Sequence, residues 1–464
     1  MRTVVAAVSL TLLAALSIAC SGEGGSAPLA EPIEAPPRTM APAEMPERAP
    51  ERIDVAGLVA TDLGAPIGGR GVTLVDALGV RHDRVTSGRG AFAVADVAVP
   101  YDVLVERGAA EADTIYLGIQ RRDPYVELFE RDGPTPSPAR QTIHVGVRAP
   151  ACGGASCRVT AVTTSPSGAG STTTACPDEG GLAVVEVEHG WRGLAVLPGE
   201  RVDVHVLVGD ETRAWYAYAR AASVAAAPGE TVDVGVIEPE PVALTDAISV
   251  GAAAGEGALV DWAWSTSVSL DVSGDPDRRE PGFLFAIAPS SSTSVRLPLI
   301  PRARAGVSVS ARHARSDEGG GFHRSTEVWS EVRPLSADAV ALDVGPGPEL
   351  VTPTDGGAIS RRGEGFAWTS SGRAELATLT VVDRARGGGR FRVLTTSREV
   401  GLGRLAALGL PRLDLGVYVL DLATSSGREI DDAVSPDPEV RRRGRDRSRA
   451  GGSTRLRVGF RVTP

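Results

Sequence analysis

Residues able to do acid–base or metal chemistry are few and far apart in this 464-residue chain. The six histidines lack the H-x-x-H and H-E-x-x-H spacings that place two ligands on one helix face. They are His82, His144, His189, His205, His313 and His323. His189, between Glu188 and Gly190, is the most site-like, and the competing interpretation is a histidine on a surface turn. The sequence also lacks a G-x-S-x-G elbow, a P-loop and a dinucleotide-binding motif, so we expect no catalytic centre, metal or cofactor.

Three of the four cysteines lie close together and allow one disulfide and one leftover thiol. Cys157 and Cys176 are equidistant from Pro166/Ser167 in a Ser165–Gly170 turn, which predicts a hairpin that brings their Cα atoms within bonding range. We therefore predict a Cys157–Cys176 disulfide with Cys152 free. Pairings of Cys152 with Cys157 or with Cys176 remain geometrically open. Zinc is the weaker alternative, because Cys-x4-Cys without a nearby Cys/His pair is a poor metal signature.

The fourth cysteine follows a short apolar segment at the N-terminus. Val4–Ala19 comes after a single basic residue, Arg2, and the segment ends at Cys20. This arrangement suits export, and its sixteen residues are marginal for a spanning helix. Leu16–Cys20 resembles a bacterial lipoprotein signal, which implies lipidation of Cys20 and anchorage to a membrane. Ser21 after the cysteine resembles sorting to the outer membrane.

Two surface features are candidate ligand-binding sites. Tyr216 and Tyr218 share one face of a predicted strand, where two exposed rings would stack on a sugar, although one aromatic of such a strand normally fills the core. The run Arg441, Arg442 and Arg443 is locally very basic and would grip an anionic glycan, lipid headgroup or acidic protein. A flexible loop before the final strand is the favoured interpretation of the arginine run.

Composition places the chain among small all-β modules rather than helical enzymes. Glycine (55) and proline (33) are abundant, whereas aromatic residues make up only 4%. The formal net charge of −10 argues against general nucleic-acid binding, which needs a basic surface. After Cys20, no stretch approaches eighteen uncharged apolar residues.

Proline-rich segments and strand–turn patterns divide the chain into a tether and four predicted β-sandwich modules in tandem. A lipoprotein signal peptide covers 1–20, and a Pro/Ala/Glu-rich segment that cannot bury a core covers 21–51. The four folded units are expected at 52–131, 141–237, 242–346 and 349–464.

The first unit resembles the carboxypeptidase regulatory-like domain, a transthyretin-type sandwich. The resemblance rests on Val55, Gly57 and Val59 in a V-x-G-x-V opening, on Thr86, Gly90 and Phe92 in a T-x-x-x-G-x-F hairpin, and on Tyr101 leading the next strand. It covers about eighty residues and implies a non-catalytic module.

The last unit resembles fibronectin type III and related Ig-like sandwiches. It carries an early-strand tryptophan, Trp368, and a late Gly-x-Tyr strand that contains Tyr418. The third unit, with Trp264, reads as a diverged copy that has Ser308 in place of the tyrosine. These resemblances imply architecture rather than chemistry.

We therefore expect a non-enzymatic cell-envelope lipoprotein that acts as a structural or protein-interaction scaffold. Its expected partners are the membrane, through the lipid, and an envelope protein or polysaccharide. The alternative is an accessory carbohydrate-binding surface protein, which needs exposed, coplanar aromatics around Trp215–Tyr218 or Trp191. An enzyme would need a cluster of titratable groups that the linear sequence does not reveal.

Overall fold

The computed structural model describes most of the chain from residue 50 to residue 464. The ranges that it leaves undescribed are 1–49, 62–63, 107–111, 129–138, 149–156, 167, 177–180, 192–198, 211–215, 222, 254–261, 274–282, 316–321, 331–332, 336–337, 345–346, 364, 370–374, 386–388, 438–439 and 442–450. The predicted signal peptide, Cys20 and nearly all of the predicted tether therefore lie outside the described residues.

Module 1 is built from seven strands in two sheets, of three and four strands. The strands are β1 (Arg52–Thr61), β2 (Gly71–Val75), β3 (Arg81–Val85), β4 (Ala91–Ala98), β5 (Tyr101–Val105), β6 (Asp113–Ile119) and β7 (Tyr125–Leu128). One sheet has the order β4-β1-β7, and the other has the order β6-β5-β2-β3. Alternating burial along β1 places Val55 and Val59 in the core while Asp54 faces solvent, as a period of two requires.

Module 2 is a single sheet that folds over one core. Its strands are β8 (Arg140–Arg148), β9 (Cys157–Thr164), β10 (Gly168–Ala175), β11 (Leu182–Trp191), β12 (Arg201–Asp210), β13 (Tyr216–Arg220), β14 (Val224–Ala225), β15 (Thr231–Ile237) and β16 (Glu240–Val242). The order is β15-β8-β11-β10-β9-β12-β13-β16, with β14 beside β12. Valines on one face of β8, β9, β11 and β12 pack together around Trp191, so the sheet must curl around them.

Module 3 follows the same all-β plan with shorter strands. They are β17 (Ile248–Ala252), β18 (Ala263–Asp271), β19 (Phe283–Ala288), β20 (Ser292–Val295), β21 (Arg304–Arg315), β22 (Phe322–Trp329), β23 (Arg333–Pro334) and β24 (Val340–Leu342). The small sheet β20-β17-β24 packs on the larger sheet β19-β18-β21-β22. Trp264 lies at the side of that core, half-buried.

Module 4 contains eight strands and the two short helices of the described residues. They are β25 (Leu350–Thr352), β26 (Ala358–Ser360), β27 (Phe366–Trp368), β28 (Glu375–Asp383), β29 (Gly389–Thr395), β30 (Glu399–Val400), α1 (Leu402–Ala407), β31 (Gly416–Ser426), α2 (Ile430–Ala433) and β32 (Gly451–Thr463). Trp368 is buried in the core. The hydroxyl of Tyr418 donates to the Asp414 carbonyl at 3.1 Å, which is the tyrosine-corner contact of Ig-like sandwiches.

Three of the four modules share one 14-stranded sheet, which joins them at their strand edges. Module 3 meets module 4 where His323–Trp329 pairs antiparallel with Gly451–Arg457. Module 4 meets module 1 where Phe391–Leu394 pairs in parallel with Asp113–Tyr116. The first and last modules are therefore neighbours in the fold. The tandem β-sandwich prediction is confirmed, and three of the four modules are joined by a continuous sheet while module 2 has a sheet of its own.

The junction between modules 1 and 4 is also a shared core. Leu376, Leu394 and Ile430 of module 4 pack among the buried residues of module 1. Ile115 and Leu117 of module 1 pack in the core of module 4. Apolar burial on both sides of the joined sheet gives this contact the character of a domain interior.

Candidate interaction surface

The open edges of the two long sheets differ in how well they are protected from further pairing. Unprotected edges present unpaired N–H and C=O groups to other chains, and proteins usually block them with charge, proline or bulges. Strand β3 carries four charged or titratable residues in the sequence RHDRV, and β16 carries a proline in EPV. Strand β15 has a register shift between Asp233 and Val236, and Gly235 within it adopts a φ of 85°. Three of the four edges therefore carry a blocking feature.

The fourth edge, β19, carries neither charge nor proline. Its sequence is FLFAIA, and among the described residues it has a strand neighbour on one side only, β18. The pairing register between β18 and β19 shifts at Phe285. Because of this shift, Leu284 and Ile287, which are three positions apart, both face solvent. Leu284 and Ile287 are consequently 59% and 58% exposed. An exposed, uncharged apolar edge of this kind favours pairing with another strand.

A cleft of about 530 Å³ runs along β19, against the outer face of the module 2 sheet. One wall consists of Phe283–Ile287, and the other includes Arg158, Thr160, Thr173, Asp210 and Tyr216. The Thr160 and Thr173 hydroxyls lie 3.0 Å apart in a hydrogen bond to each other. The cleft therefore combines an apolar strand edge with a polar wall that carries hydroxyl groups and one charge of each sign.

The two candidate tyrosines lie beside this cleft, on one face of β13 as predicted. Tyr216 is only 5% exposed, and its ring packs 5.4 Å from that of Phe285. Tyr218 is half-buried; its hydroxyl lies 2.9 Å from His205 Nδ1, and burial raises the pKa of Tyr218 to about 12. The expected pair of exposed, sugar-stacking rings is thus wrong for Tyr216, because module 3 covers that face of the strand. Trp191, at 1% exposure, offers no exposed ring either.

Arg441 is locked into the contact between modules 4 and 1 rather than lying in an open basic loop. Its guanidinium lies 3.6 Å above the Tyr125 ring, and its Nε donates to Glu127 at 3.0 Å. Nη1 also donates to the Pro436 carbonyl at 2.8 Å. These contacts leave the Arg441 side chain 11% exposed, so the prediction that it grips an external anion is wrong. Arg442 and Arg443 lie outside the described residues.

His189 is completely buried, which corrects its interpretation as a surface-turn histidine. Its Nε2 lies 3.1 Å from the Ser165 hydroxyl, and its Nδ1 lies 3.1 Å from the Thr163 hydroxyl. The ring meets Trp191 edge-on at 4.7 Å. A buried histidine with both nitrogens engaged tethers the β9–β10 hairpin to β11.

The cysteine hairpin is confirmed, but the predicted disulfide is wrong. Strands β9 and β10 pair antiparallel, and the Cys176 N–H donates to the Cys157 carbonyl at 2.9 Å, so the two cysteines lie opposite each other. Cys157 is nevertheless in a disulfide that does not include Cys176, because Cys176 carries a free thiol. Two cysteines that face each other across a hairpin are close enough to form a disulfide, but this proximity does not determine which of several nearby thiols pairs with which.

We expect iodoacetamide to label Cys176, but not Cys157, in the unreduced chain. Partial burial raises the pKa of the Cys176 thiol, so labelling of the native protein should be several-fold slower at pH 8 than that of an unfolded control and should keep rising above pH 9. Peptide mapping by mass spectrometry measures both sites. Label on Cys157 before reduction, or none on Cys176 after unfolding in urea, contradicts the assignment.

The described ranges contain no group of three His, Cys, Asp or Glu side chains placed to hold a metal ion. The side chain of Asp431, which is adjacent to Asp432 in the sequence, accepts a hydrogen bond from the Gln120 N–H at 2.9 Å. Neither helix of the described residues is long and apolar enough to cross a membrane.

Comparison with known proteins gives structural matches only. No protein-family profile and no curated protein matches the chain. The Bacillus anthracis TIE protein is 8% identical over 63% of this chain and 51% of its own, with a TM-score of 0.15. BcpA, the major pilin subunit of Bacillus cereus, is 7% identical over 64% of this chain and 100% of its own, also with a TM-score of 0.15. A streptococcal ancillary pilin is 8% identical over 63% and 98%, with a TM-score of 0.14.

These likenesses are too distant to carry an argument about function. The chain spans about half the length of the TIE protein. The all-β architecture therefore rests on the strands and their pairing, and the family resemblances of modules 1 and 4 remain predictions.

Proposed function

We propose that this chain is a non-enzymatic cell-envelope scaffold that binds an envelope protein through the β19 edge. The partner contributes an extended, uncharged segment with apolar side chains at alternate positions, which adds a strand beside Phe283–Ile287. Main-chain hydrogen bonds would supply affinity, and contacts with Leu284 and Ile287 would supply specificity.

The observation that carries this proposal is the contrast between β19 and the other three open edges. Charge on β3, proline on β16 and the bulge on β15 all oppose pairing, whereas β19 is apolar and uncharged. The five cleft-lining residues of β19 span about 17 Å in an extended strand, and the cleft beside them measures about 530 Å³. A short peptide segment suits this space.

The anchored location is a proposal that rests on the sequence. The Leu16–Cys20 pattern and the proline-rich segment after it support a lipid-anchored protein of the outer membrane, held away from the bilayer by its tether. The seven prolines of the tether favour extended backbone, which would carry the four modules towards a partner.

The test is capture of an envelope partner by the mature chain, combined with hydrogen exchange of the complex. We expect the Leu284→Lys/Ile287→Lys variant to lose at least about 90% of the captured partner, because binding of the added strand would bury two ammonium groups on β19. Backbone amides of β19 should gain protection in the wild-type complex.

The matched control is Leu182→Lys/Val184→Lys, which changes two exposed apolar residues of β11, at 49% and 67% exposure, in the same way. Equal capture by the β19 variant and this control would falsify strand addition. Unchanged exchange of the β19 amides in the complex would do the same.

A further inference from the structure

A second cavity lies at the end of module 4, between the β26–β27 turn and the segment from α1 to β31. It measures about 250 Å³. Its floor is apolar, since Phe391, Leu405, Leu410 and Leu413 line it and are each at most 8% exposed. The cavity is remote in sequence from β19 and shares no lining residue with the cleft.

The walls of this cavity are basic. Arg361, Arg362 and Arg412 all line it, and none of its lining residues is acidic. Arg361 is held in place by an Nε–H donation to the Leu413 carbonyl at 3.0 Å. Arg362 and Arg412 are exposed, and neither makes an ion pair with any described residue. Three arginines and no acidic residue line this cavity, so it is locally basic in a chain of net charge −10.

We propose that this cavity binds a small amphipathic carboxylate, with its aliphatic tail on the leucine floor and its carboxylate between the arginines. Burial of the tail removes apolar surface from water. The planar guanidinium forks match a carboxylate through paired hydrogen bonds, which a neutral headgroup cannot form as strongly. The volume fits a single short chain and excludes a diacyl lipid.

Octanoate is the probe for this site, with octanamide and acetate as matched comparisons. By isothermal titration on the full chain at low salt, we expect octanoate to bind with a Kd of about 1 mM or tighter. Octanamide keeps the tail without the charge and should bind about tenfold more weakly. Acetate keeps the charge without the tail and should show no measurable binding.

Variants separate the charged contacts from the apolar ones. Arg362→Gln/Arg412→Gln should weaken octanoate about tenfold and leave octanamide unchanged. Arg89→Gln, at an exposed arginine of module 1, is the control for a charge change away from the cavity. Gly403→Trp should abolish binding of both probes, because Gly403 lines the cavity and a Cβ there meets no atom within 4 Å, which leaves space for a side chain at this position.

The proposal is overturned if wild-type chain does not bind octanoate at millimolar concentration, or binds octanamide equally well. It is also overturned if the double arginine variant binds octanoate as the wild type does. Circular dichroism shows whether each variant is folded. Only the binding data of folded variants are used to test the proposal. The octanoate experiment does not depend on capture of a protein partner at β19, so each proposal is tested independently of the other.

Discussion

Replacing Arg404 with glutamine should lower the free energy of opening at strand β6 by about 2 kcal/mol. Arg404 of module 4 donates two hydrogen bonds to the Asp102 carboxylate of module 1, at 2.6 and 2.7 Å, and these raise the pKa of the guanidinium. Asp102 is 7% exposed, and among the described residues it retains only the Gly118 N–H as a donor when Arg404 is lost. The expected cost is below that of a fully buried pair because the Arg404 side chain is 42% exposed.

A double-mutant cycle isolates this interaction. Asp102→Asn removes the charge but keeps an oxygen that accepts from Gly118, so the Arg404→Gln/Asp102→Asn pair should give a coupling energy of about 1.5 kcal/mol. Native-state hydrogen exchange at β6 measures opening at the junction itself, which global unfolding of a multi-module chain does not.

The control is the same cycle on Arg52 and Asp96 within module 1, with Arg52→Gln, Asp96→Asn and the double variant. Arg52 pairs with Asp96 at 2.6 Å, but the two side chains are 46% and 71% exposed. Such a pair is worth less than about 1 kcal/mol. A coupling energy for Arg404 and Asp102 no larger than that of this surface pair would show that the ionic contact does not hold modules 1 and 4 together.

The sequence predicts the strands on either side of the junction between modules 1 and 4, but it does not predict the junction itself. Val55, Gly57 and Val59 at alternate positions correctly predict β1, because a period of two sets which side chains share a face. The same pattern does not specify which edge pairs with which. Asp102 and Arg404 are separated by 302 residues, and each is an ordinary charged residue until the fold brings them together.

At the cleft beside β19, too, the sequence predicts local features but not the contacts between modules. The sequence correctly predicts that Tyr216 and Tyr218 share a face, but not that Phe285 from another module covers Tyr216. The sequence does not reveal that the apolar run FLFAIA lies at the end of a sheet. Edge position depends on the pairing of every other strand, so only the assembled sheet reveals it.

Gly170→Ala should destabilise the β10–β11 contact by about 3 kcal/mol or more. A Cβ at Gly170 would lie 2.0 Å from the Glu188 carbonyl oxygen and 2.8 Å from the Thr163 hydroxyl. The carbonyl belongs to β11, which pairs with β8 along its length, so the backbone cannot retreat without breaking that ladder. Thr163 is also a hydrogen-bond partner of buried His189, so its movement would disturb that network as well.

Gly190→Ala is the matched control, because it adds the same methyl group to the facing strand. Its Cβ would lie 3.9 Å from the nearest atom, the Ala169 carbonyl oxygen, which is an ordinary contact. We expect hydrogen exchange in β10 and β11 to accelerate more than a hundredfold in Gly170→Ala and less than about fivefold in Gly190→Ala. Because β10 carries Thr173 to the cleft wall, loosening this strand should also reduce partner capture at β19. Similar exchange in both variants would mean that β10 does not need the close approach that glycine permits.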